Sequence, residues 1–391
     1  MDSPTSRGFT RRCQHGNNSS GFSLIELMVT LAMFLVICGA AFSLVVKHMP
    51  LFTSQQNQAG LNFGLRNAVA QVQIDGANAG SGFYNAADIP GWPIGITIEP
   101  GSGDNCYDAS THTYGPGCFD RLNIIKIDPA APPATVTQSS GDATSSVLWV
   151  DNSYNPSISL STIASSFKSG DTILILAPDG STMTTTTLSK DGAVAGAKVQ
   201  LQHNPTGDGG VTSSLNDYYD IATHANNKLG SNFPDGSWVL KLDPAVYTVD
   251  ATDLSDPKLA RLSPSTPGCE PVDPSTGALR EPPYDSNCVV ADQIIGFKVG
   301  AALNEDIQGC GEYCYRPELF GADGYDWTQI RALRITLIGR TPPNGNSSQP
   351  QNTFDFGPYK IEAVSVMIDP RSVTGLAGQH NEQTTGTTLQ N

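Results

Sequence analysis

The longest apolar run in the chain lies near its start. From Leu24 to Val46 the residues read LIELMVTLAMFLVICGAAFSLVV, and the one charged side chain among them is Glu26. About 23 residues at ~1.5 Å of helical rise span the ~30 Å hydrocarbon layer of a bilayer, so the pattern predicts a helix long enough to cross a membrane. Pro50 cannot donate a helical hydrogen bond and is expected to kink or interrupt the helix. Beyond it Leu61, Leu65, Val69 and Val72 recur at steps of four and three, which lays one apolar stripe along a second helical stretch. The helical signal ends after Asp75, where Gly76, Gly80 and Gly82 mark an irregular exit.

Short apolar or alternating runs follow, separated by turn residues. Leu122 to Ile127, Val147 to Val150, Thr172 to Ala177, Met183 to Ser189, Lys198 to Gln202, Trp238 to Leu242, Val246 to Val249, Ile294 to Val299, Ile330 to Ile338 and Tyr359 to Met367 read as strands. Arg331 to Ile338 partly alternates polar and apolar residues, as a sheet with one face on a helix should. The expected fold is α+β: a long N-terminal helix, transmembrane and then amphipathic, packed through its distal half on an antiparallel β-sheet with long decorated loops. Ser372 to Asn391 carries almost no apolar residues and is expected to be a disordered tail.

Composition sharpens this picture. Charged residues make up only 15% of the chain, and 39 Gly with 27 Pro favour many short strands over a helical body. The net charge of −15 is uneven, because Arg7, Arg11 and Arg12 precede the apolar run with only Asp2 against them. The acidic remainder argues against nucleic-acid binding through phosphates. The basic start reads as a cytoplasmic flank.

A search for catalytic constellations finds no Walker loop, no HExxH and no GxSxG elbow, and the histidines are scattered in polar contexts. No catalytic residue, cofactor or metal site is therefore expected. Asn204 to Gly210 could line a calcium loop, but it lacks EF-hand spacing and reads better as a turn. Trp92, Trp149, Trp238 and Trp327 read as core or sheet-packing residues rather than a sugar platform.

Of the 8 cysteines, Cys13 precedes the apolar run and Cys38 lies within it. Cys106, Cys118, Cys269, Cys288, Cys310 and Cys314 fall into three close pairs in the body, and an exported chain would join them as disulfides. Six cysteines allow about 15 pairings, of which neighbour pairing closes the loops at the lowest entropy cost. Zinc held by Cys310 and Cys314 is the competing reading, weakened because no second Cys or His pair completes a finger-like site.

Three ordinary explanations compete for the N-terminal segment. A secretory signal would be cut after its apolar stretch, where Gly39-Ala40-Ala41 offers a decoy, yet the apolar run continues from Phe42 to Val46. A lipoprotein signal at Cys38 would place the bulky Ile37 where a small residue belongs. A plain single-span anchor leaves Glu26 without a purpose, at an insertion cost of up to ~3 kcal/mol. Gly21-Phe22-Ser23-Leu24-Ile25-Glu26-Leu27 instead resembles the class III signal of type IV prepilins and type II secretion pseudopilins. That resemblance implies cleavage between Gly21 and Phe22 by a prepilin peptidase, methylation of the new Phe22 amine, and retention of the apolar helix as anchor and filament core. It also implies that Glu26 pairs with the Phe22 amine of a neighbouring subunit. Gly21 suits an extended peptide in a protease cleft because it has no side chain.

Further segments resemble the PilW family of minor pilins: Ile74 to Gly80, Phe167 to Leu174, Val290 to Val299, and the Arg331 to Ile338 strand. Cys106 to Pro133 and Pro264 to Cys288 read as insertions against that pattern. The resemblance implies a structural, non-enzymatic subunit with a leader over 1–21, a membrane helix over 22–48, its amphipathic continuation over 49–80, a β-rich body over 81–371 and a tail over 372–391. Its partners would be the peptidase, other major and minor pilins, and the inner-membrane assembly platform. The implied location is the bacterial inner membrane, body outward, and then the pilus surface. A minor pseudopilin shares the same start, and a membrane-anchored binding domain is the reading from a different class.

Overall fold

The computed structural model describes residues 23–81, 95–103, 106–137, 141–179, 182–203, 229–272, 279–303, 330–342 and 352–370. Gly21, Phe22, Cys310, Cys314, Trp92, Trp327, the 204–210 segment and the 372–391 tail lie outside the described residues. The chain divides into two compact units, Met1–Gln56 and Asn57–Asn391.

Helix α1 (Leu24–Ala77) begins in the first unit and ends in the second. In the first unit every large apolar side chain from Leu24 to Phe52 is exposed, and even the least exposed, Val29, is 49% accessible. A helix apolar on all faces is at home in lipid or in a helical bundle rather than in water. By length and composition it can cross a membrane. Of the kink or interruption expected at Pro50, the interruption does not occur: α1 runs through it. The ring removes one backbone donor, and the intact turns on both sides hold the helix together.

In the second unit α1 is amphipathic. Leu61, Leu65, Ala68, Val69 and Val72 are buried, along the stripe that the sequence spacing predicts, and Asp75 and Gly76 are buried beyond it. This face shares one core with five strands of the largest sheet and with a smaller sheet. The large sheet runs β1 (Ile96–Glu99), β4 (Arg121–Ile127), β11 (Trp238–Asp250), β5 (Ala134–Val136), β6 (Val147–Asp151), β10 (Lys198–Gln202) and β9 (Ala193–Ala195), and its ladders are antiparallel. Strands β12 (Lys258–Leu262) and β7 (Thr172–Leu176) also pair with β11, and carry β13 (Val289–Asp292) and β8 (Met183–Thr187). The smaller sheet has β15 (Ile330–Arg340) between β14 (Ile294–Leu303) and β16 (Ile361–Ile368). A hairpin of β2 (Tyr107–Asp108) and β3 (Thr113–Tyr114) stands apart from both.

The α1 stripe packs with Ile96, Leu122, Ile124, Tyr247 and Leu259 of the large sheet and with Leu333, Ile335, Leu337 and Ile368 of the small one. Asp120, fully buried, joins the two sheets: its carboxylate accepts from Gly101 N at 2.9 Å, Val299 N at 2.8 Å and Lys298 Nζ at 2.8 Å. A second core gathers β5, β6, β7 and β10 around Ile163 and Phe167 of helix α2 (Leu160–Ser166) and its end. Strand β11 links the two cores. Its Trp238–Lys241 half pairs with β7, and its Leu242–Tyr247 half pairs with β4. The sequence had split this strand into two at Asp243-Pro244-Ala245, yet Pro244 sits in register opposite Ile125.

Candidate functional site

The start of α1 is built from Ser23 and Glu26. Ile25 N donates to Ser23 Oγ at 3.3 Å, and Ser23 N donates to Glu26 Oε2 at 3.2 Å. This reciprocal pair is a capping box: a hydroxyl satisfies one orphan N–H inside the first turn, and a carboxylate three residues on reaches back to another. Thr30 Oγ1 donates to the Glu26 carbonyl at 2.9 Å, closing the next turn. Negative charge at this end of the helix is also favoured by the helix dipole, by ~0.3 to 1 kcal/mol. Both capping bonds are exposed to solvent, and the Glu26 carboxylate keeps free lone pairs for a further donor. The sequence reading gave Glu26 an intermolecular role and missed this local one, although the Ser-x-x-Glu spacing carries the signal.

The other end of α1 holds a second charged site that the sequence reading did not identify. Asp75 is 2% exposed, and its Oδ2 accepts from Arg261 Nε of β12 and from the Tyr247 hydroxyl of β11, each at 2.6 Å. Lys126 of β4 lies 3.3 Å from Oδ1 and 3.5 Å from Asp243 Oδ2. Burial pushes the Asp75 carboxyl up, and the Arg261 and Tyr247 hydrogen bonds with the Arg261 and Lys126 charges outweigh it and hold the group below its ordinary value of 3.8. Burial and the Asp75 charge push the Tyr247 hydroxyl far up. A carboxylate near a helix C-terminus opposes the dipole, so an acidic residue there signals a strong partner elsewhere. This cluster fixes where α1 ends against the body.

The structure joins Cys106 to Cys118 and Cys269 to Cys288, with Cα atoms 4.6 and 5.5 Å apart. The first bond closes the β2–β3 hairpin. Both cysteines of the second bond are buried and pack with Val246 of β11 and with Ala260 and Leu262 of β12. Cys38 is a free thiol on α1. The described residues contain no group of three His, Cys, Asp or Glu side chains able to hold a metal ion.

Among known families, the one described as the prokaryotic N-terminal methylation motif matches residues 16–42, which contain Gly21, Phe22, the capping box and most of the apolar run. Neither a curated protein nor a solved structure matches the chain. The matched motif implies processing by a prepilin peptidase and assembly with pilins in general. Together with the exposed apolar helix it points to membrane anchoring, and it supports a type IV pilin-like prepilin; the family that carries the motif is structural rather than catalytic.

Proposed function

We propose that the chain is a minor pilin of a type IV pilus, acting where the filament is initiated or at its tip. The peptidase cuts between Gly21 and Phe22, and the new Phe22 amine is methylated. The 22–48 helix holds the subunit in the inner membrane with the body on the periplasmic side, and the same surface then packs against other pilins at the assembly platform. The observation that carries this reading is an apolar helix exposed on every face, with one carboxylate, Glu26, at its start. Such a surface needs lipid first and other helices later. Within a helical bundle Glu26 exchanges its exposed capping bond for the Phe22 amine of the adjacent subunit, which sets axial register.

The minor-pilin reading rests on the PilW-like order of segments from Ile74 to Ile338. Ile74 to Gly80 forms the end of α1 with the Asp75 cluster, and Val290 to Val299 leads from β13 into β14. The Cys106 to Pro133 and Pro264 to Cys288 regions are the insertions against that pattern.

The experiment is mass spectrometry of surface filaments sheared from cells, together with a deletion strain. This chain in the sheared fraction, cut before Phe22, supports the pilus. A deletion that leaves filaments intact and abolishes export of folded enzymes assigns the chain to a type II secretion pseudopilus instead. A mature N-terminus near Phe42 would overturn the prepilin reading.

A further inference from the structure

The loop over 352–357 inverts the usual partition of side chains. Asp355 is 6% exposed, while its neighbours Phe354 and Phe356 are 65% and 64% exposed. The carboxylate is held from several directions: Tyr114 OH donates at 2.5 Å, Asn352 Nδ2 at 2.6 Å and Gly357 N at 2.9 Å, and Tyr359 OH donates as well. Asn352 Oδ1 accepts from Phe354 N at 2.9 Å and Asp355 N at 3.0 Å, so the turn is pinned at its start too. Phe356 has φ +58°, a left-handed conformation uncommon for a bulky residue. Gly357 has no room for a side chain, because a Cβ there would lie 2.3 Å from Cζ of Tyr359. Tyr107 OH donates to the Asp355 carbonyl at 3.1 Å and adds a third, partly exposed aromatic ring. A rigid turn thus presents two phenylalanines to the outside, and strain of this kind is kept at sites that have work to do.

The position of the loop in the second unit indicates what it meets. Lys360 Nζ donates to Gln58 Oε1 at 2.7 Å, and Gln58 Nε2 donates to Glu362 Oε1 at 3.2 Å. Gln58 follows Phe52, the end of the exposed apolar stretch, by only six residues. Even fully extended, that tether reaches no more than about 20 Å. Only a short stretch of chain therefore separates the apolar helix from Gln58, which bonds the residues just after the loop.

We propose that this loop is a membrane-contact element, in which Phe354 and Phe356 enter the interfacial layer of the bilayer that anchors α1. The proposal rests on the membrane-anchored reading and adds a second contact to it. The occupant is lipid recognised through its apolar and interfacial character. Neither position carries charge, and a chain of net charge −15 has no general attraction to anionic headgroups. Aromatic side chains partition to this layer and sink about 5–10 Å into the headgroup boundary. The contact is made before assembly, and it is released when the subunit leaves the bilayer.

The test uses the full chain reconstituted in phosphatidylcholine vesicles, with and without bromine on the lipid acyl chains. Phe354→Trp and Phe356→Trp each add one indole to the 4 native ones, and Tyr154→Trp, at an exposed site beside Trp238, serves as control. Both loop variants should show a blue-shifted difference emission that brominated lipid quenches, and the control should show neither. Vesicle-retained protein whose added indoles are not quenched would overturn the proposal and leave anchoring intact. Extraction of the protein from vesicles by alkaline carbonate would overturn both. A photoreactive phenylalanine analogue at 354 should label lipid, and labelling of a second protein chain instead would assign the loop to a subunit contact and reject the bilayer.

Discussion

Asp75, in the last turn of α1, accepts a 2.6 Å hydrogen bond from Arg261 of β12, 186 residues further along the chain. The same Asp75 oxygen accepts from Tyr247 of β11, and Lys126 of β4 faces the other. One carboxylate therefore ties the helix to three neighbouring strands. Removing it leaves two cations in a poorly hydrated place, and that asymmetry makes the cluster testable.

Asp75→Asn should destabilise the body by about 3 kcal/mol, the low end for breaking a buried ion pair, because Arg261 and Lys126 keep 16% and 15% exposure. Urea unfolding of the full chain in detergent, followed by tryptophan fluorescence, measures this. A change within about 0.5 kcal/mol, as at ordinary surface sites, would mean that the cluster is not a structural pin.

The pH dependence has a definite sign. The Asp75 and Asp355 carboxyls are held below the ordinary 3.8; burial raises each, and the hydrogen bonds from Arg261 and Tyr247, or from Tyr114 and Tyr359, overcome it. Their stabilisation is full above the unfolded value and is lost as pH falls below it through the lowered folded values. Asp171 and Asp243 are pushed up by burial that Lys241 and Lys126 only partly offset, so they act in the opposite direction and soften the loss. The midpoint of urea unfolding should stay flat from neutral pH to about 5 and fall below about 4. Asp75→Asn should fall less steeply over the acid range, and a mutant with the wild-type slope would contradict the assignment.

The two disulfides close loops with sequence separations of 12 and 19 residues. On the loop-entropy account each contributes about 3 kcal/mol. Non-reducing peptide mapping of protein purified from the envelope should recover Cys106 with Cys118 and Cys269 with Cys288, and Cys310 joined to Cys314. Replacing Cys106 and Cys118 by Ser should free the β2–β3 hairpin and weaken the hold of Tyr114 on Asp355. Proteolysis within 106–118 reports this, and an unchanged cleavage rate would show that the hairpin holds without its bond.

Much of the architecture was legible in the sequence because strong periodicity survives tertiary packing. The Leu61, Leu65, Val69 and Val72 stripe is the buried face of α1, and Lys198 to Gln202 is a strand with those bounds. The runs at Leu122, Val147, Thr172, Ile294 and Ile330 lie in strands whose limits shift by a few residues. Other elements were hidden for physical reasons. Lys258-Leu259-Ala260-Arg261-Leu262 looks like an exposed segment until Asp75 supplies a partner for Arg261. Helix α2 is seven residues long and rich in Ser, and its start depends on the Ser159 side chain accepting from Thr162 N. The Cys106 to Pro133 region, read as an insertion, contains Leu122 and Ile124 of the main core. At the N-terminal site, motif and spacing pointed to Gly21, Phe22 and Glu26. The buried sites at Asp75, Asp120 and Asp355 were not legible, because each assembles partners far apart in the chain.

The central claim is that Glu26 serves assembly through its charge, and Glu26→Gln tests it most directly. Glutamine keeps an acceptor that can reach Ser23 N, so the capping box survives and the negative charge is removed. The attraction lost, to the Phe22 amine of the next subunit, is nominally about 4 kcal/mol at 4 Å and an effective dielectric near 20, reduced by desolvation. Quantitative mass spectrometry of sheared filaments should find the variant cut before Phe22 and present in the inner membrane, but several-fold depleted from filaments. Incorporation of Glu26→Gln at wild-type abundance would contradict the account and leave Glu26 as a helix cap alone.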